Sequence, residues 1–348
     1  MSGWRARVQA RSACPLDSRI LVTGALGALL GFAGCRPPRA PAGPTPSEAQ
    51  GRQAAALVVT ADSLAAARRY EDAATRYAAA LLLWPDSVSV AKRALGSFWR
   101  AARYEDAYLW GRRALAREPR SLDVLFDFGV TCGFLVALEC VDSTFRRAIE
   151  LDSSFVDGYG ELGFLAQARG HLAEAVRYME AAYAVAPEND FAVSGLAQML
   201  IPAGQPARAR AVMAPRLAVT PRARAYGGRS MRTLDGWALL ELGDTAGASA
   251  AFEQVLGWLR ERERAGQTTY QLYRERAAIY ALRGERDAAV EAMQSAFDHG
   301  WRLYGSWSLS DPMFAGVAHD PAVTALVEWM RADVRATRRR LGLERKGE

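Results

Sequence analysis

The hydrophobic and polar positions of this chain repeat with a period of 34 residues over much of its length. Ser153 occupies one node of the pattern and prolines occupy the other four, namely Pro85, Pro119, Pro187 and Pro221. A small or branched apolar residue lies twelve positions before every node: Ala73, Ala107, Val141, Ala175 and Ala209. Small residues at regular intervals indicate helices in close contact, and a period of this length indicates a stack of helix pairs.

Residues 156–189 match a known repeat at eight positions, which are Tyr159, Leu162, Gly163, Gly170, Ala175, Met179, Ala182 and Pro187. This pattern resembles the tetratricopeptide repeat, in which two antiparallel helices form a hairpin. Gly163 and Ala175 would let the two helices approach, Gly170 would permit the turn, and Pro187 would end the second helix. The resemblance implies an all-α fold, a right-handed superhelical solenoid of stacked antiparallel helix pairs.

The repeat predicts five consecutive units, at residues 54–87, 88–121, 122–155, 156–189 and 190–223. In the second unit, the pair Leu95–Gly96 predicts a register shift of one residue. In the fifth unit, Pro202 predicts a kinked or shortened first helix. Two further units are predicted in residues 224–303, where a spacing of 41 residues implies a long connecting helix through Arg264.

Residues 304–348 are predicted to form a capping segment and helix. Pro321 suits the first turn of a helix, and apolar residues follow it at helical spacing: Val323, Leu326, Val327, Met330 and Val334. A repeat array needs a cover over the exposed side of its last unit. Capping is therefore the expected role of this helix, and partner docking or membrane contact are the alternatives.

The amino-terminal residues 1–34 combine a charged stretch with the apolar run 20–34, which is shorter than the roughly 20 residues of a membrane-spanning helix. Small residues precede Cys35, an arrangement that resembles the lipobox of bacterial lipoprotein signal peptides. The resemblance implies removal of residues 1–34 and lipidation of Cys35, with an uncleaved signal anchor as the alternative. Residues 35–53, rich in proline and alanine, would form a disordered tether. By the same analogy, Arg36 suggests the outer membrane, facing the periplasm.

The net charge of the chain mainly excludes one class of partner. The formal charge of +6 falls to +3 without residues 1–34, which hold four arginines and one aspartate. The remaining basic residues are interleaved with acidic ones, and the basic run Arg338–Arg340 is expected at a solvated helix end. A nucleic-acid partner is therefore not predicted.

Candidate chemistry is sparse in this sequence. His171, His299 and His319 form no metal-ligand pattern, and the chain has no phosphate loop or dinucleotide fingerprint. We therefore predict no metal, no cofactor, no small-molecule substrate and no enzymatic activity. Cys132 and Cys140 would lie in an oxidising compartment, where they form either a disulfide or two buried thiols.

In the family that this chain resembles, the first helix of each unit lines a concave groove that binds a peptide or helix of another protein. The groove positions here are Lys92, Trp99, Phe126, Val130, Phe164, Gln167 and Gln198. Core packing against the next repeat is the alternative for Phe126 and Phe164. The predicted function is a lipid-anchored protein-interaction scaffold of the bacterial cell envelope. The alternatives are a regulatory or sensory subunit and an envelope enzyme with an unrecognised site.

Overall fold

The computed structural model describes residues 46–220, 230–266, 268–301 and 311–343. The α-helices in these ranges are α1 Glu48–Ala66, α2 Tyr70–Leu83, α3 Val88–Arg100, α4 Tyr104–Arg117, α5 Leu122–Phe134, α6 Leu138–Leu151, α7 Val156–Ala168, α8 Leu172–Val185, α9 Asp190–Leu200, α10 Pro206–Val219, α11 Met231–Glu241, α12 Thr245–Arg264, α13 Tyr270–Leu282, α14 Arg286–Asp298 and α15 Pro321–Arg340. A 3₁₀-helix, Pro312–Val317, precedes α15. Consecutive helices pair as hairpins, which confirms the predicted all-α solenoid. None of the described helices is both long and apolar enough to cross a membrane.

The first helix begins earlier than the sequence analysis predicts. Ser47 Oγ accepts a hydrogen bond from the Gln50 backbone amide at 3.3 Å, and Gln50 Oε1 accepts one from the Ser47 amide at 2.9 Å. This reciprocal cap satisfies two amides at the start of the helix. The predicted tether, residues 35–53, was therefore wrong at its carboxyl end, because the helix starts at Glu48. Residues 35–45 lie outside the described residues.

The second, third and fourth units share one geometry. Their first helices, α3, α5 and α7, have 13 residues each, and their second helices, α4, α6 and α8, have 14. Because α3 begins at Val88 and α5 at Leu122, the 34-residue period is kept between them. The one-residue register shift predicted from Leu95–Gly96 was therefore wrong.

An exchange of side-chain size explains the unusual Leu95. In the third unit a small residue of the first helix faces a large residue of the second, since a Cβ atom at Gly129 would lie 2.6 Å from the Phe145 ring. In the second unit the sizes are reversed. Leu95 is large and buried, and the residue facing it on α4 is Gly111. A Cβ at Gly111 would lie 3.4 Å from a Leu95 methyl group and 2.7 Å from the Phe128 ring of the next unit. The volume at the helix crossing is thus kept by a compensating change.

Each hairpin turn holds one residue at positive φ. In the last four units this residue is a glycine with φ between 73° and 83°: Gly170, Gly204, Gly243 and Gly284. In the first three units Arg68, Ala102 and Val136 adopt φ of 60°, 58° and 54°. The left-handed conformation costs a non-glycine residue about 1–2 kcal/mol, and a β-branched side chain is the least suited to it. The first three turns therefore carry strain that the later ones avoid.

The later units differ in helix length. α9 has 11 residues and ends at Leu200. Proline has no amide hydrogen to donate and disfavours helical geometry in the residue before it, so Pro202 accounts for the early end. The shortened first helix predicted for the fifth unit is confirmed. α12 runs to Arg264 over 20 residues, which confirms the long connecting helix predicted for the sixth unit.

The carboxyl-terminal helix α15 packs on α14 through its apolar stripe. All five apolar residues predicted for this stripe are buried: Val323, Leu326, Val327, Met330 and Val334. The Trp329 ring lies edge-on against Phe297 of α14, with centroids 4.5 Å apart. Asp320 caps the helix by accepting a hydrogen bond from the Ala322 amide at 2.7 Å, just ahead of Pro321 in the first turn.

The carboxyl-terminal part of the array also contacts its second unit. The Tyr104 hydroxyl donates a hydrogen bond to the Gly300 carbonyl at 3.4 Å. Arg340, which belongs to the basic run predicted to be solvated, forms an ion pair with Glu105 of α4. These contacts join residues 196 and 235 positions apart in the chain. They connect the residues after α14, and the last helix α15, to the second hairpin, in addition to the contacts between neighbouring units.

Candidate partner-binding face

The first helices of successive units contact one another, in the order α1, α3, α5, α7, α9, α11 and α13. In a solenoid, helices that meet their equivalents in neighbouring units lie on the inner side of the curve. We use the term inner face for the side chains that these helices present on that side. The predicted groove residues all belong to α3, α5, α7 and α9.

Trp99 connects two units on the inner face. Its indole N–H donates a hydrogen bond to Asp127 Oδ1 of α5 at 2.9 Å. The ring stacks on Phe134 with centroids 6.0 Å apart, and the Arg100 guanidinium lies 4.0 Å over it. Trp99 is buried. This predicted groove residue therefore has an internal role, holding α3 against α5.

The apolar residues predicted for the groove are covered to different degrees. Phe164 is 3% exposed, and its ring centroid lies 6.0 Å from that of Phe191. Val130 is also buried. Phe126 is half-buried, with an edge-on contact to Phe155 at 6.5 Å. Of the two phenylalanines, Phe126 is the more accessible and Phe164 packs more tightly within the array.

The polar residues predicted for the groove differ in their hydrogen-bond partners. Lys92 Nζ lies 3.1 Å from Glu118 Oε2, in a pair that links α3 to the end of the second unit. Gln167 and Gln198 are 8% and 3% exposed. Neither polar atom of the Gln167 amide has a hydrogen-bond partner among the described residues, and the same holds for Gln198 Nε2. A buried polar group without a partner costs about 1–3 kcal/mol of folding free energy, so these unpaired amide atoms do not stabilise the fold through hydrogen bonds.

Asp127 is an inner-face residue that the sequence analysis missed. Burial raises the pKa of its carboxyl group from 3.8 to about 6, although the hydrogen bond from Trp99 and the charge of Arg100 act in the opposite direction. Burial also raises the pKa of Asp157 on α7. The sequence did carry a signal for these two acids, because each has an acidic residue one 34-residue period away: Glu161 follows Asp127, and Asp123 precedes Asp157.

A second buried carboxylate, that of Glu275, joins two units through hydrogen bonds. Glu275 of α13 accepts hydrogen bonds from the Ser230 backbone amide at 2.5 Å and from the Thr233 hydroxyl at 2.7 Å. Ser230 also caps α11, accepting the Thr233 amide at 3.2 Å. These bonds tie the start of the sixth unit to the seventh. Glu275 therefore acts as an internal connector.

The structure joins Cys132 and Cys140 in a disulfide, with an S–S distance of 2.08 Å and Cα atoms 5.9 Å apart. Of the two alternatives left by the sequence, the bridge is the one found. It connects the end of α5 to the start of α6, across the turn that holds Val136 at positive φ. The bridge therefore closes the most strained turn of the array.

No group of three or more histidine, cysteine or acidic residues that could hold a metal occurs within the described parts of the chain. The histidines make local contacts instead. His171 Nδ1 lies 3.5 Å from Glu174, and His299 Nδ1 lies 2.7 Å from the Ser295 carbonyl. His319 is exposed. The predicted lipidation site, Cys35, lies outside the described residues.

No model of a known protein family and no curated protein matches the sequence. Among solved structures, the chain is similar to a tetratricopeptide repeat protein from Parabacteroides merdae ATCC 43184, at 14% identity over 81% of this chain and 100% of that one, with a TM-score of 0.52. It is also similar to PilW, a widely conserved type IV pilus biogenesis factor, at 18% identity over 59% and 92% of the two chains, with a TM-score of 0.49. A third similar structure is Pseudomonas aeruginosa PilF, at 17% identity over 60% and 92%, with a TM-score of 0.47. Together with the hairpin geometry, the first of these likenesses establishes that the chain has the tetratricopeptide-repeat solenoid fold.

Proposed function

We propose that this protein is a non-enzymatic scaffold of the bacterial cell envelope, anchored by lipid on Cys35, that binds a peptide or helix of another protein on its inner face. The observation that carries the proposal is the pair of buried glutamine amides, Gln167 and Gln198, on neighbouring inner helices. Both polar atoms of Gln167 and the Nε2 donor of Gln198 lack partners among the described residues, although burying such groups costs stability. When these side chains turn toward the inner face, a bound polypeptide would supply the missing hydrogen bonds. Phe126, which is half-buried on the same side, would add apolar contact area.

The Cys132–Cys140 disulfide supports the proposed location, because disulfides persist mainly in oxidising compartments. The lipobox-like residues before Cys35 supply the proposed anchor. Buried acyl chains contribute about 0.8 kcal/mol per methylene, so two or more chains hold a protein stably on a membrane. Under this proposal residues 35–47 form the tether between the lipid and α1, and the protein resides in the outer membrane facing the periplasm.

The groove is tested by crosslinking and affinity purification from detergent-solubilised envelopes. Phe126→Arg places a charge on the inner face, whereas Leu109→Arg makes the same change at an exposed position of α4. We expect a specific partner to co-purify with the native protein and with Leu109→Arg, and to be lost from Phe126→Arg. Thermal unfolding followed by circular dichroism checks that both variants fold. If the same partner remains bound to a folded Phe126→Arg protein, the inner face is not the docking site.

The anchor and compartment need a separate test. Cys35→Ser should move the protein from the membrane fraction to the soluble fraction, and mass spectrometry of the native amino-terminal peptide should show acyl chains. In protein taken from intact cells, Cys132 and Cys140 should resist alkylation until a reductant is added. An unmodified Cys35, or two freely alkylated thiols, would contradict the proposed location and leave the groove proposal to its own test.

A further inference from the structure

Charge is distributed unevenly across the third, fourth and fifth units. Their inner helices, α5, α7 and α9, contain five acidic residues and no lysine, arginine or histidine. Their outer helices, α6, α8 and α10, contain five acidic residues and six arginines: Arg146, Arg147, Arg177, Arg208, Arg210 and Arg216. In a chain with 44 basic residues, the central inner helices are therefore the exception.

Four of the five acids form a regular strip. Asp123 and Asp127 lie one turn apart on α5, and Asp157 and Glu161 occupy the equivalent positions of α7, 34 residues later. We call these four residues the acidic strip. Asp123 is exposed, Asp127 and Asp157 are partly buried, and Glu161 is buried. The fifth acid, Asp190, is separate from the strip because it pairs with Arg216 at 2.8 Å.

Unsatisfied amide groups occur on the same run of inner helices as the strip, since Gln167 lies near the end of α7 and Gln198 lies on α9. Trp99 shows where side chains at its position of the repeat point, because its indole crosses the inner face to Asp127 of the next unit. Gln167 holds the same position two repeats later. It is more than nine-tenths buried, and its amide nitrogen and oxygen have no partner among the described residues. Helix α7 thus carries two carboxylates and an amide whose nitrogen and oxygen have no hydrogen-bond partner within the described ranges.

The basic residues of the neighbouring helix α3 do not neutralise the whole strip. Lys92 pairs with Glu118 at 3.1 Å, and Arg93 pairs with Asp62 at 2.7 Å. Arg100 stacks on Trp99 and acts electrostatically on Asp127. The accessible negative charge is therefore concentrated at Asp123 and Asp157, toward the start of α5 and α7.

We propose that the inner face of the third and fourth units selects a polypeptide segment of another protein that carries lysine or arginine side chains. This inference rests on the proposed function and specifies the partner's chemistry. The cationic groups pair with Asp123 and Asp157, while the segment's backbone exchanges hydrogen bonds with Gln167 and Gln198. Positive charge on the partner matches an inner face that lacks basic residues over three successive helices.

The test uses the full-length protein in a non-ionic detergent and three fluorescent twelve-residue peptides. These repeat Leu-Ser-Lys, Leu-Ser-Glu or Leu-Ser-Ser, and binding is followed by fluorescence anisotropy. We expect the lysine peptide to bind about tenfold more tightly than the serine peptide and the glutamate peptide to bind most weakly. In the Asp123→Asn, Asp157→Asn double variant, the lysine preference should fall to less than about twofold, while the affinity for the serine peptide stays the same.

A matched control removes two acids elsewhere. Glu150→Gln, Glu188→Gln lowers the negative charge equally at two exposed positions outside the inner helices, and it should keep the lysine preference. If the preference persists in the Asp123→Asn, Asp157→Asn variant, or disappears in the control, the acidic strip is not the recognition element. Self-association of the native protein that competes with the peptides and is lost with the strip would assign this face to a second copy and overturn the proposal.

The outcomes also separate this inference from the proposed function. If all three peptides bind equally and Phe126→Arg abolishes their binding, the groove proposal stands and the charge selection fails. If none of the peptides binds to the native protein, the charge selection fails, and co-purification with the Phe126→Arg variant decides the groove proposal. If the glutamate peptide binds best, the sign of the proposed selection is wrong.

Discussion

Val136 illustrates how a single residue can be held in an unfavourable conformation by its surroundings. Its φ of 54° lies in the left-handed region, at the turn position that Gly170 fills one unit later. The flanking disulfide and the packed ends of α5 and α6 fix this turn. Nearby, Phe134 stacks on both Trp99 and Tyr104, with centroids 6.0 and 4.8 Å away. The strained turn therefore supports residues that join the second and third units.

Val136→Gly should stabilise the protein by about 0.5–1 kcal/mol, because relief of the left-handed strain exceeds the greater backbone entropy of glycine in the unfolded chain. The reverse change one unit later is the control. Gly170→Val should destabilise by about 1–2 kcal/mol, since a Cβ at Gly170 meets nothing within 4 Å and only its φ of 79° opposes the change. Urea unfolding at equilibrium measures both. A destabilised Val136→Gly protein would contradict the assigned strain.

Asp127 gives a prediction about pH. Its pKa is about 6 in the folded protein against an ordinary 3.8, so between these values the folded chain holds a proton that the unfolded chain has released. Binding this extra proton stabilises the folded chain, and that stabilisation is lost as pH rises from about 4 to about 6. Asp127→Asn keeps an oxygen that can accept the Trp99 hydrogen bond and removes the buried charge. It should raise the free energy of unfolding by about 1–2 kcal/mol at pH 7 and have little effect at pH 4. An equal effect at both pH values would show that the charge is not responsible.

At the scale of residues, the sequence could place side chains on the inner face but could not decide their partners. Trp99 and Gln167 hold equivalent positions in the repeat. Trp99 donates a hydrogen bond to Asp127 in the next unit, whereas the Gln167 amide has no hydrogen-bond partner among the described residues. That difference depends on which residue of the neighbouring helix lies opposite, which periodicity alone does not specify.

At the scale of elements, the close crossing of the two helices in each hairpin sets which residues are allowed. The sequence predicted the hairpins because small residues recur at these crossings with the period of the repeat. The register predicted for the second unit was wrong, because Leu95–Gly96 looks like the Leu–Gly pair of the repeat, Leu162–Gly163, displaced by one residue. The compensating glycine, Gly111, lies on the partner helix, and its role appears only when the two helices are packed together.

The early start of α1 was missed for a different reason, since its first residues lack apolar periodicity and depend on a local cap at Ser47.

The helix crossing of the third unit predicts a large effect from a single methyl group. Gly129→Ala should destabilise by about 1–3 kcal/mol, because the new Cβ would lie 2.6 Å from the Phe145 ring. Gly257→Ala is the control within α12, where the nearest atom to a Cβ is a flexible arginine nitrogen 4.0 Å away. That change should instead stabilise by about 0.5–1 kcal/mol through helix propensity. Thermal and urea unfolding distinguish the two, and equal effects would mean that the crossing tolerates the extra volume.

At the scale of the whole molecule, most contacts join neighbouring units, but the ion pair between Arg340 and Glu105 does not. The Arg340 side chain is 59% exposed and that of Glu105 is 39% exposed, so solvent screens the pair and it should contribute at most about 1 kcal/mol. Its value lies in connecting α15 to the second hairpin. The sequence could not predict this contact, because a repeat pattern specifies neighbours and leaves open how the array curves.

Charge reversal tests this connection. Arg340→Glu and Glu105→Arg should each lower the free energy of unfolding by about 0.5–1 kcal/mol and increase amide hydrogen exchange in α15. The double variant restores an opposite-charge pair and should recover most of both losses. If the two losses simply add, the side chains do not interact in solution.

The Arg340–Glu105 contact can form only after the rest of the array has been synthesised. Glu105 is synthesised 235 residues before Arg340, which at about 5–20 residues per second is an interval of roughly 10–50 s. Neighbouring hairpins fold on local contacts and do not need to wait, whereas this contact must. A newly made chain therefore passes through a stage in which its early units are formed and α15 has not yet reached α4. A partner present at that stage meets the early units before α15 has joined them.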